Sequence, residues 1–394
     1  MTRRVIYDFW PAMLGDDAKL SLDFSSGVLP SGVTFARAAN TATVVNSSGL
    51  VQTVNADVPR FDHSSAGSSL GMLIEASATN LCQQSNFASN WLGGSQTTTR
   101  TANTTDVLSP DGTNNAAKIT IDSNGFASRF EIITGLAAST TYTFSYYIRG
   151  SAGFEGRVFN ATTNANAFGP TVLTYSSTAW TRVQMQFTTG TQTGGITVYV
   201  YCTHKAIAST SDVIYIYGGQ LEVGNTASSL IPTTTSTLTR NPDICTVSGA
   251  AFSSWYNASE GTFLAHFRRR RTDNTASVLS ANNNTTAEVI ELAADTVGKF
   301  NVTDGGASQV ALFRTPFTAN TDTKLAGAFK LDDCNIGMGG SIGTTDTTAT
   351  MPTVDRLFIG RDAGAVPVYL DGHVKFVKFY DARKTDTQLQ ALTT

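Results

Sequence analysis

Between residues 77 and 232, apolar and polar positions alternate with a period of two. In TYTFSYYIRG, Tyr142, Phe144, Tyr146 and Ile148 fall on one face, and Thr141, Thr143, Ser145, Tyr147 and Arg149 on the other. RVQMQFTTG sets Val183, Met185 and Phe187 against Arg182, Gln184 and Gln186. ITVYVYCTH sets Ile196, Val198, Val200 and Cys202 against Thr197, Tyr199, Tyr201 and Thr203, and DVIYIYGGQLEVG continues in kind. Successive side chains on a strand point to opposite faces, so this pattern predicts antiparallel sheet with one buried and one wet face. Strands recur at short spacing with Gly/Asn/Ser turns and no amphipathic helix between them, which predicts a β-sandwich or jelly roll.

The pattern weakens on either side. Residues 1–24 read as an N-terminal arm, with apolar contacts from Tyr7, Phe9 and Trp10 but too short to own a core. Residues 25–76 read as a small β segment and connector. Val44-Val45 and Leu50-Val51 flank an NSSG turn there, which predicts a hairpin. In PRFDHSSAGSSLGMLIEASATNL, Met72, Leu73 and Ile74 read as a strand. Arg60 and Asp62 flank Phe61 and face the same way in extended chain, predicting a local ion pair beside a buried Phe. The Thr/Pro-rich stretch from Leu230 to Asp243 reads as a linker, assigned to 233–246, between a first sandwich over 77–232 and a second over 247–394. The second contains strand-like runs GTFLAHFRRRR, EVIELAAD, GKFNVTDGG, QVALFRT, TKLAGAFKLDD, DRLFIGRD and GHVKFVKFYDAR. KTDTQLQALTT predicts one short helix, with Thr385 or Asp386 as N-cap and Leu389 and Leu392 at helical spacing. The fold class is therefore all-β: two antiparallel β-sandwich (jelly-roll-like) domains preceded by an N-terminal arm and a small β segment.

Composition agrees. A chain of 394 residues is too long for one ordinary core. Charged residues make up 14%, against roughly 25% in ordinary soluble proteins. Thr, Ser, Asn and Gly fill the gap, which suits hydroxyl-bearing outer strand faces and many turns. A net charge of −3 offers no electrostatic basis for nucleic-acid binding. No apolar run approaches the roughly 18 residues of a membrane helix, so membrane insertion is not expected. MTRRVIYDFWPAML lacks a long apolar core and a cleavage site, so no secretory signal is expected either. Cys82, Cys202, Cys245 and Cys334 are scattered, as are His63, His204, His266 and His373, which argues against zinc or redox chemistry. Cys202 sits on an apolar strand face and reads as a buried free thiol.

Little in the sequence points to catalysis. It contains no H-E-x-x-H and no phosphate-cradling glycine loop. The adjacent acids Asp16-Asp17 and Asp332-Asp333 would point to opposite strand faces and read as solvated turn residues. No enzymatic activity and no cofactor are expected, with one alternative: a structural Ca²⁺ held by Asp122, Asp212, Glu222 or acids of the second sandwich. Two groups are candidates for contact. Arg268 to Arg271 ends a strand, so only half of it, Arg268 and Arg270, faces one way. It reads as a solvated edge or as a grip on an acidic glycan or a neighbouring subunit. Tyr147, Tyr199 and Tyr201 lie on outer strand faces, where rings stack on sugars, bury against a subunit, or simply pack across strands.

The connector has a further meaning. VTFARAANTAT, PRFDH and GMLIEASATNL follow one another in an order and spacing that resemble a block common in tailed-bacteriophage and prophage virion proteins, where (V/I)TFTRAS.AT leads to PRFDY and then to G(L/Y)LIE..RTNLL. Ala78 stands where an arginine is usual, and His63 where a tyrosine is. VIYIYGGQLEVGNTASSLIPTT resembles the end of the carbohydrate-binding-module-like jelly roll that often follows in those proteins. TRNPDICTVSGAAFSSWYNASEGTFLAHF and LDGHVKFVKFYDARKTDTQLQALT resemble the opening and close of a concanavalin A-like or laminin-G-like sandwich. The resemblance covers nearly the whole chain apart from the arm. It implies a virion structural protein, a head fibre, head spike or tail fibre component, made in the host cytoplasm and released by lysis. Its implied partners are capsid or tail proteins, held through Tyr7, Phe9 and Trp10, further copies of itself as a homotrimer, and host-surface glycans. No catalytic residue carries over. The alternatives are a lectin-like module whose main role is glycan recognition, and a polysaccharide depolymerase.

Overall fold

The computed structural model describes residues 17–89, 91–93, 98–271 and 274–394. The chain is all-β as the alternation predicts, and its contacts divide it into two compact units, each discontinuous in sequence. Tyr7, Phe9 and Trp10 lie outside the described residues.

One unit comprises Phe35–Cys245 and Tyr369–His373. Among the described residues its body is two five-stranded antiparallel sheets. The first runs in the order Thr181–Thr188, Thr141–Gly150, Val213–Val223, Ala117–Ile121, Thr98–Thr101. The second runs Ala165–Val172, Glu155–Asn160, Ile196–Ala208, Gly125–Leu136, Leu92–Gly93. The inward rows predicted from the alternation meet between them: Phe144, Ile148, Met185, Ile196, Val198 and Val200 are fully buried in one apolar core. Removing this surface from water is the main stabilising term of such a sandwich, roughly 1.5–3 kcal/mol per large side chain.

The outer face of the first sheet is not uniformly wet. Thr143 and Ser145 are fully buried, as are Gln220 and Glu222. The chain after Val223 folds back over them: Thr143 donates to the Gly224 carbonyl at 2.8 Å, and the Gln220 carboxamide oxygen accepts from the Ile231 amide at 2.7 Å. The stretch read as a linker, 233–246, is accordingly part of this unit up to Cys245. Thr233, Arg240 and Asp243 are buried, and Leu238–Arg240 pairs with Ala78–Asn80. The segment read as 25–76 contributes the predicted hairpin, Ala42–Val45 with Val51–Val54, and the strand Ser69–Ile74, which pairs with Phe61–His63.

The other unit holds residues 17–34, Thr246–Val368 and Val374–Thr394. One of its sheets contains, in order, Ser341–Ile342, Asn335–Met338, Asp322–Lys330, Glu260–Arg269 and Gly372–Tyr380, with Leu20–Asp23 also paired to the last. The other contains Arg356–Ile359, Ala276–Asn282, Val289–Ala294, Gly298–Asp304 and Ala307–Arg314. Phe252, Trp255, Phe263, Phe329 and Phe379 form an aromatic core, with Phe263 and Phe379 centroids 4.9 Å apart. Gly261 makes room for it, because a Cβ there would meet the Phe379 ring at 2.5 Å. The predicted C-terminal helix spans Asp386–Thr393. Thr385 and Gln388 form a reciprocal capping box, and Leu389 is buried.

Candidate functional site

The tyrosines singled out in the sequence separate onto two sheets. Tyr199 and Tyr201 lie on the outer face of the second sheet of the jelly roll, and Tyr147 on the outer face of the first.

Around Tyr199 and Tyr201 the register assembles a platform of rings. Tyr199 is flanked by Ile132 and Phe159, and Tyr201 by Phe130 and Arg157. Phe130 and Tyr199 stack with centroids 4.9 Å apart and planes 8° from parallel. Phe130 also lies 5.1 Å from Tyr201, and Phe159 lies 6.0 Å from Tyr199. Ile132 and Phe126 are about two-fifths exposed, at 41% and 42%, while Tyr201 is covered at 7%. Tyr199, Phe130 and Phe159 are half-buried. This is a shallow apolar surface, presented by rigid strands rather than loops.

A polar chain borders the rings. The Arg157 guanidinium lies over both Phe159 and Tyr201, at 5.2 and 4.9 Å from their centroids. Its Nε donates to Asn166 at 2.9 Å, and its Nη1 donates to His204 Nε2 at 3.1 Å. With Nε2 accepting, His204 carries its proton on Nδ1 and donates it to Glu155 at 2.8 Å. Burial holds the His204 pKa below its ordinary value, and Arg157 pushes in the same direction against the Glu155 hydrogen bond. The ring is therefore neutral near pH 7 and serves as a fixed acceptor for Arg157. Among the described residues, Arg157 Nη2 makes no hydrogen bond, which leaves its two N–H donors open beside the rings.

His204 was not legible as part of this site. Strict alternation places it on the inner face with Cys202. A register shift leaves Cys202 as an extra residue between Thr203, opposite Arg129, and Tyr201, opposite Phe130. This bulge turns His204 to the outer face, 5.5 Å from the Tyr201 ring.

The remaining sequence candidates fall elsewhere. Tyr147 is half-buried, with Arg182 5.6 Å above its ring. Arg268 and Arg270 alternate outward as expected, while Arg269 between them is fully buried and donates to the Ala294 carbonyl and to Asn274. Asp212 is taken up by Lys205 at 2.8 Å and by the Ser209 amide, and Glu222 by Gln220 and the Ser228 amide. Asp122 accepts from Thr99. Among the described residues no three His, Cys, Asp or Glu side chains converge as metal ligands would.

The connector's charges pair differently from the sequence expectation. Arg60 does not pair with Asp62. It is fully buried, reaches Glu75 at 2.7 Å and also bonds Asp243, while Phe61 is only half-buried. Asp62 instead contacts His373 at 2.7 Å and accepts from the Val45 amide. Arg60 precedes the strand Phe61–His63 and is buried, Asp62 within it is half-buried, and each meets partners contributed by distant segments. Arg37 bonds Asp243 at 3.1 Å, and Arg240 lies 3.4 Å from Glu75, giving a buried network of three arginines and two carboxylates. Sealed from solvent, with both carboxylates taken up by arginines although among the described residues the Nε of each arginine and Arg240 Nη2 make no hydrogen bond, it is a structural clasp rather than a site.

No family model matches the chain, and no curated protein matches it. Among solved structures, it is similar to the CBM40 module of a Ruminococcus gnavus sialidase, described bound to α2,3-sialyllactose, at 14% identity and a TM-score of 0.32, over 36% of this chain and 88% of that one. It is also similar to domain 4 of AbnA, an extracellular arabinanase of Geobacillus stearothermophilus, in complex with arabinotriose, at 9% identity and a TM-score of 0.29, over 39% and 73%. A third match is a SAP-like pentraxin of Limulus polyphemus, at 10% identity and a TM-score of 0.28, over 35% and 70%. The overlaps are partial and weak, and no function is taken from them.

Proposed function

We propose that the chain is a fibre, spike or decoration component of a tailed-phage particle, and that its jelly roll contacts host-surface saccharides through the platform of Phe130, Phe159, Tyr199 and Tyr201. The observation that carries the glycan reading is the combination on one sheet face of parallel rings with an oriented, partly open guanidinium, Arg157. Flat rings pack against the C–H face of a pyranose, and a fixed fork of donors reaches its oxygens. Exposed apolar patches on soluble proteins mark interaction sites. The virion setting rests on the ordered motifs VTFARAANTAT, PRFDH and GMLIEASATNL.

A glycan array probed with the intact chain tests the binding. Saturable binding that is lost in Tyr199→Ala and in Arg157→Ala supports it, and absence of binding at millimolar saccharide overturns it. If Tyr199→Ala instead dissociates an oligomer, measured by sedimentation, the platform is a subunit contact. Gold labelling of particles tests the setting, and unlabelled particles from a chain that still binds glycan would leave a lectin-like module. The arm is proposed as the anchor, through Tyr7, Phe9 and Trp10. Deleting residues 1–16 spares the strand Leu20–Asp23 and is expected to give a folded protein that no longer enters particles, so normal incorporation would sink the anchoring role.

A further inference from the structure

The opposite sheet of the jelly roll carries a groove of about 910 Å³, lined on one side by Tyr147, Arg149, Trp180 and Arg182 and on the other by Leu50, Asp106 and Leu108. Trp180 is anchored, its Nε1 donating to the Leu108 carbonyl at 2.8 Å, and it stays half-buried with its indole against the groove. Arg149 lies 5.9 Å from the centre of that indole. Among the described residues, no side-chain hydrogen bond or ion pair engages the Arg149 guanidinium, and its Nε is buried without a partner. Arg182 bonds only neutral acceptors, the Ser228 carbonyl at 2.7 Å and the Ser145 hydroxyl at 3.0 Å. Asp106, the one acid in the lining, is already balanced by Lys118 at 2.7 Å and receives the Tyr215 hydroxyl at 3.3 Å.

The groove therefore holds two guanidinium charges that no carboxylate among the described residues pairs, its one lining acid, Asp106, being held by Lys118 and Tyr215. Leaving a half-buried guanidinium unpaired is costly, and the group that best satisfies it is a planar oxyanion able to take two parallel N–H donors. The indole and the exposed Leu50 and Leu108 add an apolar wall of the kind that packs against a sugar ring. We propose that this groove is a second saccharide site, separate from the ring platform, and that it selects a carboxylate-bearing sugar of the uronate type, with Arg149 gripping the carboxylate and Trp180 supporting the ring.

The test is calorimetric titration of the intact chain with galacturonate, glucuronate and mannuronate trisaccharides, each beside its methyl ester. At least one acid is expected to bind about tenfold or more tightly than its ester, the scale of one charge-assisted hydrogen bond. Arg149→Gln is expected to abolish that preference, and Arg149→Lys, which keeps the charge but not the fork, to reduce it. With Trp10 replaced by Phe in both chains compared, binding is expected to shift tryptophan emission, and Trp180→Phe to remove the shift, since Trp91 and Trp255 are only 4% and 9% exposed. Tyr199→Ala should leave uronate binding intact, which separates this site from the platform. No binding of any acid at millimolar concentration, equal affinity for the esters, or unchanged affinity in both Arg149 variants overturns the proposal. So does loss of uronate binding in Tyr199→Ala alone.

Discussion

Arg60 and Glu75, fifteen residues apart in the chain, meet at 2.7 Å with side chains that are 0% and 1% exposed. Each also has a second partner: Arg60 bonds Asp243, and Glu75 accepts from the Ser229 amide and hydroxyl at 2.8 and 2.7 Å. Removing one member of such a network strands the others without water. Glu75→Ala is expected to destabilise the chain by about 3–5 kcal/mol, read as a lower urea midpoint for the unit that contains it. A midpoint shift under about 1 kcal/mol would show that the clasp is not holding these segments.

Glu131 should make stability depend on pH. It is 5% exposed, accepts from the Gln83 amide at 2.9 Å, and burial pushes its carboxyl up to about 7. Its folded pKa thus exceeds its unfolded value near 4.5. The folded state binds the proton more tightly, so this contribution is complete below about pH 4.5 and is lost as pH rises through about 7. A shift of this size corresponds to roughly 3 kcal/mol. Denaturation at pH 5 and pH 8 should show stability falling with pH, and Glu131→Gln should flatten that difference. An identical slope in the variant would remove Glu131 as its source.

The thiols should be silent until the chain unfolds. All four cysteines are buried and unbridged. Burial pushes Cys202 up to about 12 and Cys334 up to about 11, and raises Cys82 and Cys245 as well. A thiol-reactive dye at pH 8 is expected to label the native chain far more slowly than the chain in denaturant, and a reducing agent should leave the melting temperature unchanged. Rapid native labelling would contradict the burial.

The C-terminal helix depends on its cap. The Thr385 hydroxyl accepts from the Gln388 amide at 3.3 Å, and the Gln388 side chain accepts from the Thr385 amide at 2.9 Å. Thr385→Ala is expected to cost about 1 kcal/mol by denaturant titration, and Thr385→Ser almost nothing.

What the sequence disclosed was periodic or local. Alternation located the inward row of Tyr142, Phe144, Tyr146 and Ile148, and the N-cap signal located the last helix. Ala276–Asn282 escaped because it is buried at every position, so a central strand of small and polar residues offers no alternation to read. Arg60's partners escaped because Glu75 and Asp243 reach it through the fold, whereas Asp62 is merely adjacent along the chain. His204 escaped because one extra residue, Cys202, reverses the parity of its strand. The tyrosines were legible as outward positions, but their separation onto two sheets follows from pairing order, which alternation does not encode.

The order in which the two units use the chain bears on how the molecule carries load. Residues 17–34 and 374–394 lie in one unit, and the unit bearing both proposed saccharide sites is spliced between them. The backbone passes between units at 34/35, 245/246, 368/369 and 373/374. A pull applied between the N-terminal strand and the C-terminal helix would strain only the unit that contains both. A tug on a sugar held by the jelly roll would instead be divided among several covalent connections, as a load shared by several ropes rather than one tether.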